Sequence, residues 1–149
     1  MAIKECCKVG VISCEADASL SAVAALMRQH HVGDVVVTET RDGENVPIGI
    51  ITDRDIVIET VALQLDPQAF TAGDFMSHPV VTVSEEAGFL ETLRLMRDHK
   101  IRRMPVVTVA GALYGIVTAD DIVNLLTSEL SLMTDAVFAQ AVQEARVRK

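Results

Sequence analysis

The chain has 149 residues, of which 50% are apolar, 23% charged and 3% aromatic, with a formal net charge of −8. That length and apolar content support one domain with a real core, or two small halves sharing one, and exclude a disordered tail. The acidic balance and the absence of Trp exclude a nucleic-acid partner, which needs a basic stripe and stacking platforms; a small phosphate ligand needs only one or two placed cations and a helix N-terminus.

Met1 to Gly10 contain Lys4, Glu5 and Lys8 and no signal-peptide core, and no stretch approaches 18 uninterrupted apolar residues. The expectation is a cytoplasmic protein with no membrane partner. Cys6, Cys7 and Cys14 are an odd count crowded at one end. They read as reduced apolar fillers, with a redox role for Cys6-Cys7 as the alternative. Val9–Cys14 is then a short β-branched strand, and Ala18–His30 is a helix with Leu20, Val23, Ala24 and Met27 on one face. Asp34–Thr38 and Pro47–Thr52 follow as strands joined by the polar turn Arg41–Asn45. Asp53–Leu63 is a helix with Ile56, Val57 and Val61 facing inward, and Gln64–Gly73 is a linker. The same series then recurs: a strand at Val80–Val83, a helix with Phe89, Leu93 and Met96, and strands at Met104–Val109 and Leu113–Thr118. Ala119–Leu126 closes it as a helix with Ile122, Val123 and Leu126 inward. Pro105 suits the start of its strand.

From Thr127 onward, with Ser128 as N-cap, Leu132, Met133, Val137, Phe138, Ala141, Val142 and Ala145 fall at helical spacing. Arg146, Arg148 and Lys149 suit that helix's C-terminal end. Its apolar face either packs back on the module or forms a dimer contact.

The recurrence is a duplication. Residue i meets residue i+69 without a gap from Glu5 to Val37: Val11 meets Val80, Ser13 meets Thr82, and Leu26-Met27-Arg28 meets Leu95-Met96-Arg97. The shift then drops to 66, so that Gly49–Val57 lies on Gly115–Val123. The three-residue difference falls in the Thr38–Pro47 turn, where an insertion is tolerated. The division is therefore a first unit over 5–63, a linker over 64–73, a second unit over 74–126 and a C-terminal helix over 127–149. Each unit is a mixed α/β (α+β) strand-helix-strand-strand-helix element too small to stand alone, so the two pack sheet against sheet.

Gly49-x-x-Thr52-x-x-Asp55 and Gly115-x-x-Thr118-x-x-Asp121 sit where a strand ends and a helix begins. One reading is a capping box, in which hydroxyl and carboxylate satisfy the helix start. The other is a site in which the carboxylate accepts from ribose hydroxyls while the hydroxyl and free N–H groups donate to phosphate. His30, His31, His78 and His99 are scattered with no metal-binding spacing, and no nucleophile motif occurs, so neither a metal site nor an enzyme is expected.

The chain resembles a tandem pair of CBS domains, named from cystathionine β-synthase, in the arrangement called a Bateman module. Met76–Val83, Ile101–Val107, Gly49–Ile56 and Gly115–Ile122 carry the likeness, which extends from Glu5 to Leu126. The resemblance implies two βαββα units about a pseudo-twofold axis. It also implies two clefts able to bind AMP, ADP, ATP, S-adenosylmethionine or NAD-like ligands. Thr52 and Asp55 would serve one cleft, and Thr118 and Asp121 the other. Adenine would be read by main-chain groups near Ser13 and Thr82, between Ile12 and Val81. Arg102 and Arg103 match positions facing ligand phosphates, or else form a solvated or dimer-facing charge pair. The halves differ in cations: Gly33-Asp34 stands where the second has Arg102-Arg103, and Arg54 where the second has Asp120. Only one cleft is therefore expected to bind a phosphorylated ligand tightly. The expected role is a regulatory, homodimeric sensor acting on an unidentified protein target. The alternative is an interaction or dimerisation protein with empty clefts.

Overall fold

The computed structural model describes residues 2–147, with side chains as far as residue 140. It contains two three-stranded sheets of identical design. In the first, β1 (Ser13–Glu15) runs parallel to β2 (Asp34–Arg41), which pairs antiparallel with β3 (Glu44–Thr52). In the second, β4 (Val83–Ser84) is parallel to β5 (Arg103–Val107), which is antiparallel to β6 (Leu113–Thr118). A register break recurs at the equivalent place, between Val37 and Thr38 and between Val106 and Val107. The duplication thus reaches down to a bulge.

The length difference between the halves lies in one hairpin. β2 and β3 extend to a two-residue turn at Asp42-Gly43, both at positive φ (51° and 82°), the conformation a tight hairpin demands. Its counterpart turns earlier through Gly111, at φ 86°.

α1 (Leu20–His30) starts on the Ser19 hydroxyl, which accepts from the Ala22 amide at 3.1 Å, and ends with His31 left-handed at φ 54°. It buries Leu20, Val23 and Met27 against Val35, Val37 and Ile51 of the first sheet. α4 (Phe89–His99) covers the second sheet in the same way, with Met96 against Met104, Val106 and Val117. Strand alternation turns Val36 and Pro105 to the opposite faces, where β3 and β6 meet and the sheets pack together. α2 (Asp53–Ile56) and α3 (Ala72–Phe75) are single turns.

Several expectations are corrected. Strand Val9–Cys14 contracts to Ser13–Glu15, and Val80–Val83 to Val83–Ser84. Pro105 lies in the middle of β5, not at its start. Its counterpart Val36 donates its N–H to Ile12 O at 3.1 Å. A proline has no such donor, so β4 begins one residue later than β1 and Pro105 breaks no existing ladder bond. After α2 the helix widens into a π-turn, Val57–Val61, which rotates Thr60 inward and leaves Val57 and Val61 exposed. Val123 and Leu126 are likewise exposed, and Ile122 alone of that trio is buried.

α5 (Ala119–Val147) is one continuous helix. Ser128 is not its N-cap: it sits mid-helix, its hydroxyl donating to Asn124 O at 3.0 Å. Leu132, Met133, Val137 and Phe138 are exposed rather than packed back. Ala141, Val142, Ala145, Arg146, Arg148 and Lys149 lie outside the residues whose side chains are described. By length and composition Ala119–Gln140 is long and apolar enough to cross a membrane, with mean hydropathy 1.3, which a search for uninterrupted apolar runs passes over. It nonetheless carries Glu129 and Asp135, each costing about 2.5–3.5 kcal/mol at a bilayer centre, and Ile122 in its first turn is locked in the second core.

The segments preceding each unit exchange places. Ile3, on a short turn at Ile3–Glu5, is buried in the second core, its N–H donating to Ala87 O at 2.7 Å. Ala72, its counterpart 69 residues on, is buried in the first core, with its N–H on Ala18 O at 2.8 Å. Residues read as linker thus complete the first unit, and the N-terminus completes the second.

Candidate functional site: two unequal clefts between the sheets

Both Thr-x-x-Asp motifs are complete capping boxes. The Thr52 N–H and hydroxyl donate to Asp55 Oδ2 at 2.8 and 2.7 Å, and the Asp55 N–H donates to Thr52 Oγ1 at 3.1 Å. Thr118 and Asp121 repeat the pattern at 3.1, 2.7 and 3.1 Å. A third box of the same kind, Thr71 with Asp74, starts α3 and lines neither cleft described below. The box is therefore a helix start first; its surroundings decide whether it is also a site.

Those surroundings are two clefts, each built from both units. The larger, of about 520 Å³, joins Thr52, Arg54 and Asp55 of the first unit to Val81, Arg102, Arg103 and Pro105 of the second. The smaller, of about 330 Å³, joins Thr118 and Ile116 of the second to Val9–Ile12 and Val32–Asp34 of the first. Arg54 and Arg102-Arg103, which look like opposing endowments of two units, come together on one side of the molecule. Lys100 joins them there, where the smaller cleft has His31. Both are left-handed helix ends (φ 55° and 54°), and this shared backbone role is the signal that could have marked Lys100.

The cations are differently engaged. Arg102 Nη2 meets Asp120 Oδ1 at 3.0 Å in the open, both side chains being more than 70% exposed. Arg103 Nη1 reaches Asp34 Oδ1 at 2.6 Å, with side-chain exposures of 35% and 18%. Asp34 is the repeat counterpart of Arg103, so this bridge crosses the pseudo-twofold axis and its ends line different clefts. Arg54 and Lys100 make no ion pair among the described residues.

The carboxylates differ as well. Asp55 Oδ1 has no partner among the described residues. Asp121 Oδ1 is held by Lys8 Nζ at 2.9 Å, and the Asp121 side chain is 14% exposed. Burial pushes the Asp121 carboxyl up. The Thr118 hydroxyl and N–H and the Lys8 ammonium outweigh it and hold the group below its ordinary value.

Ile12 and Val81 line the clefts, while Ser13, Thr82 and Asp121 stand just behind the lining: Ser13 is inside β1, paired with Val36, Thr82 directly precedes β4, and Asp121 is joined to the smaller cleft's Thr118 and Lys8. Cys6, Cys7 and Cys14 are free thiols, and burial pushes all three up, opposite to what a reactive thiolate needs. Among the described residues no three of His, Cys, Asp and Glu gather as a metal site.

The CBS domain model matches residues 3–61 and 72–128. The chain belongs to the CBS domain family. Hypoxic response protein 1 of Mycobacterium tuberculosis is 38% identical over 108 residues, 72% of this chain and 73% of that protein. An uncharacterised Methanopyrus kandleri protein is 45% identical over 69% of this chain, which spans about half (51%) of that relative's length. Among solved structures, Hypoxic Response Protein I with two coordinated zinc ions superposes with TM-score 0.70 at 34% identity, over 83% of this chain and 98% of that one. A CBS domain protein from Pyrobaculum aerophilum complexed with AMP gives 0.73 at 26%, over 81% and 89%. These likenesses agree with the paired CBS architecture described above.

Proposed function

We propose that this CBS pair is a regulatory, non-catalytic module that binds a phosphorylated adenine nucleotide in its larger cleft. The observation that carries this reading is the meeting of four cations, Arg54, Lys100, Arg102 and Arg103, with the unpartnered Asp55 Oδ1 in one cavity of about 520 Å³. Asp55 accepts from the ribose hydroxyls, Thr52 and the α2 start flank it, and adenine lies along Val81 beside Pro105. Pro105 has no N–H to give the Val81 carbonyl, where Val36 donates to Ile12, and among the described residues that oxygen is left to accept from the base. Four cations favour AMP, ADP, ATP or NAD over the sulfonium of S-adenosylmethionine. The AMP complex of the Pyrobaculum relative supports the ligand class.

Signalling is by linkage. A ligand held by both units favours one arrangement of them and shifts the equilibrium only by its differential affinity. The output surface is α5 together with Val57, Ile58 and Val61, whose exposed apolar side chains suit a homodimer in the cytoplasm that presents a protein target with one of two arrangements. Met133→Glu with Phe138→Glu is expected to convert dimer to monomer in sedimentation equilibrium; an unchanged mass removes the dimer from the reading.

Thermal melting tests the ligand. A nucleotide at 100 times its dissociation constant adds about 2.7 kcal/mol of stability, and Asp55→Ala is expected to abolish that shift while the protein still folds. If AMP, ADP, ATP, NAD and S-adenosylmethionine all leave the melting point unchanged, the clefts are empty and the protein is an interaction module.

A further inference from the structure

The smaller cleft holds a charged group that has no counterpart in the larger one. Lys8 is fixed by its backbone: its N–H donates to Ile116 O and its carbonyl accepts from the Ile116 N–H, both at 2.9 Å. The counterpart of Lys8 is Ser77, whose N–H donates to Ile50 O at 2.9 Å. Equivalent backbone bridges thus present a lysine to one capping-box carboxylate and a serine to the other. The Lys8 ammonium takes Asp121 Oδ1 at 2.9 Å, and Thr118 takes Oδ2. Both oxygens are engaged before any ligand arrives.

From this difference we propose that Lys8 is a specificity-determining residue: a tethered competitor for Asp121 that makes the smaller cleft discriminate against the ribose-bearing ligands the larger one accepts. The inference rests on the reading of Asp55 as a ribose acceptor. Lys8 acts through a group that must otherwise receive two hydroxyl protons, and an ammonium already donating there has to be displaced first. Asp34 lines the same cleft and is already paired with Arg103, and Lys8 is taken up by Asp121, so among the described residues no uncommitted lysine or arginine lines the smaller cleft to meet a phosphate. The Lys8 side chain is 69% exposed, so removing its charge leaves the core and the backbone bridge in place.

The test uses the full chain and calorimetry with adenosine, which carries a ribose and no phosphate, so the cation supply of the two clefts does not enter. Asp55→Ala silences the larger cleft. In that background Lys8→Ser is expected to strengthen adenosine binding about fivefold, the amount a partly exposed ion pair contributes. Lys8→Arg, which keeps the cation, is expected to bind no better than the Asp55→Ala parent. Lys8→Gln is a second neutral variant, and melting curves show that each protein is folded. Unchanged adenosine affinity in both neutral variants overturns the proposal, as does equal gain in the Arg variant. Adenosine binding at two equal sites in the unmodified protein overturns it as well. AMP failing to bind the unmodified protein while Lys8→Ser gains a site sinks the nucleotide reading of the larger cleft and leaves the role of Lys8 supported.

Discussion

At the scale of single residues, the same capping box yields two different acids because of what faces the second carboxylate oxygen. Asp121 is held below the usual carboxylate range, so its contribution to stability is full above that range and is lost as pH falls through the lowered value. Melting temperature followed from about pH 7 to about pH 3 should fall less steeply for Lys8→Gln than for the unmodified protein, because part of the pairing is already gone. Parallel curves would mean that Lys8 contributes nothing to the shift. The capping boxes Thr52-Asp55 and Thr118-Asp121 are legible in the sequence from the doubled motif, and Arg54, Arg102 and Arg103 stand out where the two copies differ. Their grouping is not legible, because each cleft takes its box threonine from one unit and residues from the other.

At the scale of elements, two glycines mark where segments cross over the sheets. A Cβ on Gly115 would lie 2.8 Å from the Lys8 carbonyl oxygen and 2.9 Å from Cys7 Sγ. On Gly49 its three nearest neighbours would all be atoms of the Met76 side chain. Gly115→Ala should therefore cost about 1–3 kcal/mol in denaturant unfolding and exceed Gly49→Ala, since a bridged backbone yields less readily than a methionine side chain. Equal costs would show that the Lys8 bridge is soft. The absence of Gly and Pro from 119 to 149 is the sign that α5 does not stop at Leu126; a plausible cap at Ser128 obscured it. The inward faces predicted for Val57, Val61, Val123 and Leu126 failed alike because helical periodicity finds an apolar face without saying what covers it.

At the scale of the whole molecule, the units are interlocked by the exchange of their leading segments. Ile3, fully buried in the second core, is expected on replacement by Ala to cost about 2–5 kcal/mol, in a single cooperative transition detected equally by probes in either unit. Loss of the second unit alone would show independent halves. The 69-residue shift shows that the segments match, but a matched pair reads the same whether each segment covers its own sheet or its neighbour's.

The exchange also orders events on the ribosome. The first sheet cannot be sealed until Ala72 and Met76 have emerged, and the second waits for its own strands to meet a segment made before the first unit. The residues around Ile3 must therefore stay unpaired while both repeats are synthesised. A break between the repeats would leave the two halves carrying each other's missing part.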